Sequence, residues 1–145
     1  MKNCMKILAM SSLLSSTVVY ADGDCGLEFK DENFTAISSE IGAKALDKHK
    51  TDFKSPTPKK GKKIPWTLDS KADIAEFVED ILKEKAKATR DDKTKLSIET
   101  KKLTDERVAW WEGNTGTFVV FNPKDEDCGT AYRPDKGKKE YEDAS

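Results

Sequence analysis

The chain of 145 residues contains one histidine, three cysteines and five prolines. A single imidazole excludes a zinc site built on several histidines, which needs at least two of them. No glycine-rich phosphate loop of the G-x-x-x-x-G-K type and no G-x-S-x-G elbow occurs. Acidic residues are many but scattered, and no spacing makes a calcium loop. Charge of one sign is also missing. Lys and Arg number 26 against 27 Asp and Glu, a formal net charge of −1. That excludes the strongly basic footprint of an avid, non-specific nucleic-acid binder, although it leaves room for a local basic cleft. There is no long apolar run after the first twenty residues.

That first segment, "MKNCMKILAMSSLLSSTVVYA", has a basic start (Lys2, Lys6), an apolar stretch from Ile7 to Tyr20 and a small residue, Ala21, at its end. This is the pattern of a cleaved secretory signal over residues 1–21, and the stretch is too short and serine-rich to span a bilayer comfortably. The expectation is a secreted or periplasmic protein whose single domain covers residues 22–145. Two lysines and no acids leave with the signal, so the charge of the mature chain becomes −3. Cys4 leaves too. Cys25 and Cys128 remain in a chain bound for an oxidising compartment and are expected to pair. Such a bridge closes a loop of about 100 residues, worth on the order of 4–5 kcal/mol in the chain-entropy model.

Periodicity then sets the fold class. Residues 33–50 carry Ile37, Ile41 and Leu46 at helical spacing, interrupted by Gly42, and His49 falls at or just past the end. Residues 51–66, with three prolines and a glycine, read as a loop that holds Lys54, Lys59, Lys60, Lys62 and Lys63. Residues 69–87 are the clearest helix, with Ile74, Phe77, Val78, Ile81 and Leu82 in one stripe, Asp69 or Ser70 as the cap, and lysines in the last turn. From there the period is two. "KLSIET" (95–100), "RVAWWE" (107–112), "TFVVFN" (117–122) and "GTAYRP" (129–134) read as strands, the second and third joined by Gly113–Gly116. The tail after Tyr141 is expected to fray. The sum is an α+β domain: two N-terminal helices packed on a three- to four-stranded antiparallel sheet.

The polar residues left to carry chemistry are His49, the loop lysines, Thr130, Tyr132, Arg133 and Lys136. They match what RNA cleavage by the 2′-hydroxyl needs. A histidine acts near neutral pH as base or acid, an arginine holds phosphate oxygens, and lysines and hydroxyls stabilise the charge that develops. Each also has a plainer reading: a helix-end histidine, an arginine paired with a surface carboxylate, a solvated lysine loop. Trp110 and Trp111 face opposite sides of their strand. One belongs to the core; the other covers a second apolar patch or offers a platform for a base.

"NTGTFVVFNPKDEDCGTAYRPDKGKKEY" resembles the C-terminal signature of nuclease domains from bacterial polymorphic and contact-dependent-inhibition toxins, in which a strand "TGTxVVxxP" and a turn lead to "GTxFRPxxGxxYF". "ALDKHKTDF" (45–53) is similar to the "KHxxxF" element upstream in the same domains. The resemblance covers about half the mature chain. It implies the small α+β fold shared by barnase, EndoU-like and colicin-type nucleases, and a metal-independent, cofactor-free RNase activity, often on tRNA. It further implies catalytic roles for His49, Thr130, Tyr132 and Arg133. Lys50, Lys136 and Trp111 are the substrate-binding candidates, and a cognate immunity protein is an implied partner. The alternative is a non-enzymatic secreted binding protein: an inhibitor, an immunity-like factor or an envelope adaptor. A cell-wall hydrolase is a third reading, with no acid pair to carry it. Alternation puts Thr130 and Tyr132 on one face of their strand and Ala131 and Arg133 on the other. Either the chain twists near Pro134 to bring Arg133 round, or the arginine belongs to a different site.

Overall fold

The computed structural model describes residues 23–53 and 61–145. The expected signal segment, and Lys54, Lys59 and Lys60 of the basic loop, lie outside the described residues. Helix α1 spans Phe34–Phe53 and α2 spans Lys71–Leu82. A four-stranded antiparallel sheet follows, in the order β1 (Ile98–Lys102), β2 (Val108–Glu112), β3 (Thr117–Phe121), β4 (Gly129–Tyr132), and a short helix α3 (Lys138–Asp143) ends the chain. The α+β class and the packing of both N-terminal helices with the sheet are as the periodicity predicts. No helix among the described residues is long and apolar enough to cross a membrane.

The two helices meet closely because Gly42 has no side chain. A Cβ there would stand 2.8 Å from the Ala75 amide nitrogen. The residue that weakens the helix in isolation is thus the one that lets α2 approach. Ile37, Ile41 and Ala45 of α1 and the whole expected stripe of α2 are buried between these helices and one face of the sheet. Val108, Trp110, Val119, Phe121 and Ala131 supply that face. Ala109, Trp111 and Phe118 point the other way, where Tyr141 of α3 closes a second, smaller apolar cluster. Trp111 is 5% exposed there, so it covers the second patch. The tail after Tyr141, expected to fray, is held by Lys101, which donates to the carbonyls of Glu142 and Ala144.

Three boundaries differ from the sequence reading. The second helix ends at Leu82 rather than at residue 87. Glu84 takes a left-handed φ of 50°, its N–H bonds back to Ile81 and that of Lys85 to Asp80, the Schellman arrangement with a glutamate where glycine is usual. Buried Asp80 then accepts from the N–H of Thr89 (2.7 Å) and from Lys85 (2.9 Å), drawing the lysine-rich segment back over the helix end. The first strand starts at Ile98 rather than 95, because Lys95 bridges to Lys87 and Leu96 donates to the Ala86 carbonyl. The first helix runs on to Phe53, whose carbonyl accepts from Leu68; Phe53 and Ile64 are both fully buried anchors of the segment read as loop.

Cys25 and Cys128 are bridged, with Cα atoms 4.5 Å apart and a separation of 103 positions in sequence. The Cys25 amide also donates to the Pro123 carbonyl. The expected tie between the N-terminal segment and the start of β4 is therefore made. Gly129, next to the bridge, has φ 132°, and a Cβ there would lie 1.9 Å from the Val120 carbonyl oxygen. Only glycine fits where β4 turns onto β3.

Candidate functional site

The last turn of α1 is where regular structure fails. His49 has φ −129° and ψ 27° inside an otherwise helical run, so the helix kinks at this residue. The kink turns the imidazole toward β4, at the edge of the sheet. His49 stacks on the Tyr132 ring, with centroids 5.1 Å apart and planes 27° from parallel. Phe118 meets the same tyrosine edge-on at 5.5 Å. The phenol donates to Glu140 Oε1 of α3 at 3.4 Å. Burial, then the charge of Glu140, pushes the Tyr132 ionisation up to about 12. Tyr132 therefore keeps its proton throughout the neutral range and serves as a donor.

His49, Tyr132 and Lys136 line one open cleft of about 420 Å³, together with Lys48, Asp135 and Arg133. The charges are mixed: two lysines and an arginine against Asp52, Asp135 and Glu140.

Arg133 stands apart from the others in its surroundings. Only 1% of it is exposed. Its Nε donates to the Thr115 carbonyl at 3.0 Å, and its two terminal nitrogens donate to the carbonyls of Asp52 (3.2 Å) and Lys62 (2.7 Å). Its amide donates to the Asp52 carboxylate at 3.0 Å. Burial lowers the guanidinium's pKa, and Asp52 opposes that shift. The alternation along β4 thus continues to Arg133: Tyr132 belongs to the second face with Phe118, while Arg133 reaches under the sheet's end and ties together the α1 terminus, the segment at Lys62 and the β2–β3 hairpin.

Among the other sequence candidates, Thr130 shares the Tyr132 face but pairs with Val120 along the strand and does not line the cleft. Lys50 is exposed at the end of α1, outside the lining. Trp111 lies in a neighbouring cleft of about 390 Å³. The two clefts share Pro134 as a wall. Asp52 and Glu140 were not singled out from the sequence. Asp52 is one helical turn beyond His49, a spacing that places the two near each other. Glu140 offers no signal, since it arrives only when the C-terminal helix docks.

The hairpin beneath Trp111 is held by Glu112, a fully buried carboxylate. It accepts from the amides of Ser97 (2.9 Å), Asn114 (3.0 Å) and Thr115 (2.7 Å), and from the Thr115 hydroxyl. Each of its oxygens is satisfied, as a buried charge requires. Among the described residues no group of three or more His, Cys, Asp or Glu is placed to hold a metal ion. Compared with known proteins, the chain matches no family model, no curated sequence and no solved structure.

Proposed function

We propose that the protein is a secreted ribonuclease of the toxin type, acting through the 2′-hydroxyl of RNA. The observation that carries this reading is the stacking of His49 on Tyr132 within one open cleft, beside Lys136. His49 takes the proton of the 2′-hydroxyl. The freed oxygen attacks the adjacent phosphorus, forming the P–O2′ bond while the P–O5′ bond breaks. The phenol of Tyr132 protonates the departing O5′, a stronger base than phenolate. Solvent returns a proton to Tyr132 and removes one from His49. Lys48 and Lys136 offset charge on the phosphate. Arg133 acts at one remove, fixing the wall that carries Tyr132 against the α1 terminus.

The oxidised protein lacking residues 1–21 is expected to cleave RNA, tRNA included, in the presence of EDTA, leaving 2′,3′-cyclic phosphate and 5′-hydroxyl ends. His49→Ala and Tyr132→Phe should each lower the rate by about 10²-fold or more. Undiminished cleavage by both variants would sink the assignment. One observation favours a second reading, a non-enzymatic binding protein: the arginine expected to clamp phosphate donates to backbone carbonyls instead. Absence of cleavage with any RNA, by protein shown to be folded and bridged, would select it.

A further inference from the structure

The sheet has two edges with different surroundings. β4 is flanked by α1 and carries the His49 cleft; β1, Ile98–Lys102, has no strand on its outer side. The Ser97 carbonyl accepts from the Gly113 amide, and the Leu103 amide donates to the Arg107 carbonyl. Odd-numbered residues therefore bond inward to β2, and Ile98, Thr100 and Lys102 turn their N–H and C=O groups outward. None of these outward groups has a partner among the described residues. The edge is bare only from Ile98 onward, because Leu96 already donates to the Ala86 carbonyl and Lys95 is bridged to Lys87. Phe29, the one large apolar side chain left exposed among the described residues, stands beside this edge on the helix face, against Trp110. It lines one cleft with Lys102 and Leu103 and another with Leu82 and Glu84.

We infer that a second copy of this chain pairs with the bare edge, β1 against β1 in antiparallel register about Thr100, joining two four-stranded sheets into one of eight strands. Thr100 then exchanges both backbone bonds with its own copy. Side-chain charge sets the register. Centred on Thr100, each Glu99 stands opposite the partner's Lys101. Centring the pair on Glu99, Lys101 or Lys102 instead sets that charge against its own copy, which is unfavourable. Centring it on Ile98 sends the partner strand past Leu96, where Ala86 already sits. Both charged groups have capacity to spare. The Lys101 ammonium has three donors and gives two, to the Glu142 and Ala144 carbonyls. Glu99 engages Lys138 through Oε1 alone. A lysine on an edge ordinarily deters pairing; here it deters the shifted registers and permits this one. Five residues a side make a small contact, so the dimer is weak and reversible. The inference stands apart from the ribonuclease reading, since the His49 cleft lies at the opposite edge and stays open.

The test is sedimentation velocity of the oxidised protein lacking residues 1–21, which keeps every element of the fold. A monomer–dimer equilibrium should appear between micromolar and millimolar concentration. Over the same range hydrogen exchange at the amides of Ile98, Thr100 and Lys102 should slow, while those of Glu99 and Lys101, already bonded to β2, should not change. Thr100→Pro removes an outward N–H that β2 does not use, and should abolish the dimer while keeping the fold. Glu99→Lys and Lys101→Glu should each weaken association about tenfold. Combining the two substitutions should restore it, an outcome that a merely structural loss would not give. A protein that stays monomeric to millimolar concentration overturns the inference and leaves the edge to a different chain. A dimer that survives Thr100→Pro, or that forms without slowing the three amides, uses another surface and overturns it as well.

Discussion

The amide of Arg133 donates to the carboxylate of Asp52, and its guanidinium donates to the Asp52 carbonyl, so the residue just after β4 grips one residue of α1 through both backbone and side chain. Two further carbonyls, from Thr115 and Lys62, complete the grip. The planar fork of arginine reaches all three acceptors at once; an ammonium does not. Arg133→Lys is therefore expected to destabilise the protein by about 3–5 kcal/mol, the range for a buried charge network that loses a partner. Urea unfolding should show a lower midpoint with an unchanged slope. A variant within about 0.5 kcal/mol of wild type would show that the network is not needed.

Tyr132 gives a dependence on alkaline pH. Its ionisation in the folded protein is raised to about 12 from the ordinary value near 10, chiefly by burial. The unfolded chain therefore loses this proton first as pH rises, and binds fewer protons than the folded chain between those values. By linkage, the contribution of Tyr132 to stability is fully present below about pH 10 and is lost as pH rises toward 12. Tyr141, raised mainly by burial, acts in the same direction. Phenolate absorbance should show one tyrosine titrating near 12 in folded protein, and Tyr132→Phe should remove that step. A tyrosine that ionises near 10 would contradict the buried geometry.

The same ring holds His49 in place. Tyr132→Phe retains the stack and should change stability by less than about 1 kcal/mol. Tyr132→Ala loses the contacts with His49 and Phe118, each aromatic pair being worth about 0.5–1.5 kcal/mol beyond burial, and should cost correspondingly more. The histidine ring resonances should move far more in the alanine variant than in the phenylalanine variant. Similar spectra from the two would show that the stack does not persist in solution.

Gly42→Ala tests the close contact of the helices. Alanine raises intrinsic helix propensity by about 1 kcal/mol, yet its methyl would meet the Ala75 backbone at 2.8–3.0 Å. Backbone cannot swing aside as a long side chain can, so overpacking of about 1–3 kcal/mol should prevail. The expected net effect is destabilisation; a rise in thermal midpoint would mean that α2 shifts without penalty.

The stripe from Ile74 to Leu82 and the alternation within residues 95–134 were enough to read the layers and the four strands, because both periods reflect burial directly. The end of α2 was not legible. Its stop signal is Glu84 in a left-handed turn, a conformation that sequence statistics assign to glycine, and its anchor, Asp80, looks like any surface acid until Thr89 folds over it. For the site, His49, Tyr132 and Lys136 were found by residue type. The enclosure of Arg133 was not, since nothing local shows that three separated carbonyls will converge on it. Alternation did show that Arg133 and Tyr132 face opposite ways, and that separation persists in the structure.

The bridge between Cys25 and Cys128 makes a covalent ring of everything from the N-terminal segment to the foot of β4. His49 belongs to the ring. Tyr132, Arg133, Lys136 and Glu140 all lie on the short arm beyond Cys128. The cleft is thus a seam between ring and arm, and each contact across it, the stack at Tyr132 and the grip on Asp52, fastens one to the other. A single backbone cut anywhere in the ring leaves all the cleft residues on one covalent body. A cut just after Cys128 detaches every one of them except those of the α1 terminus.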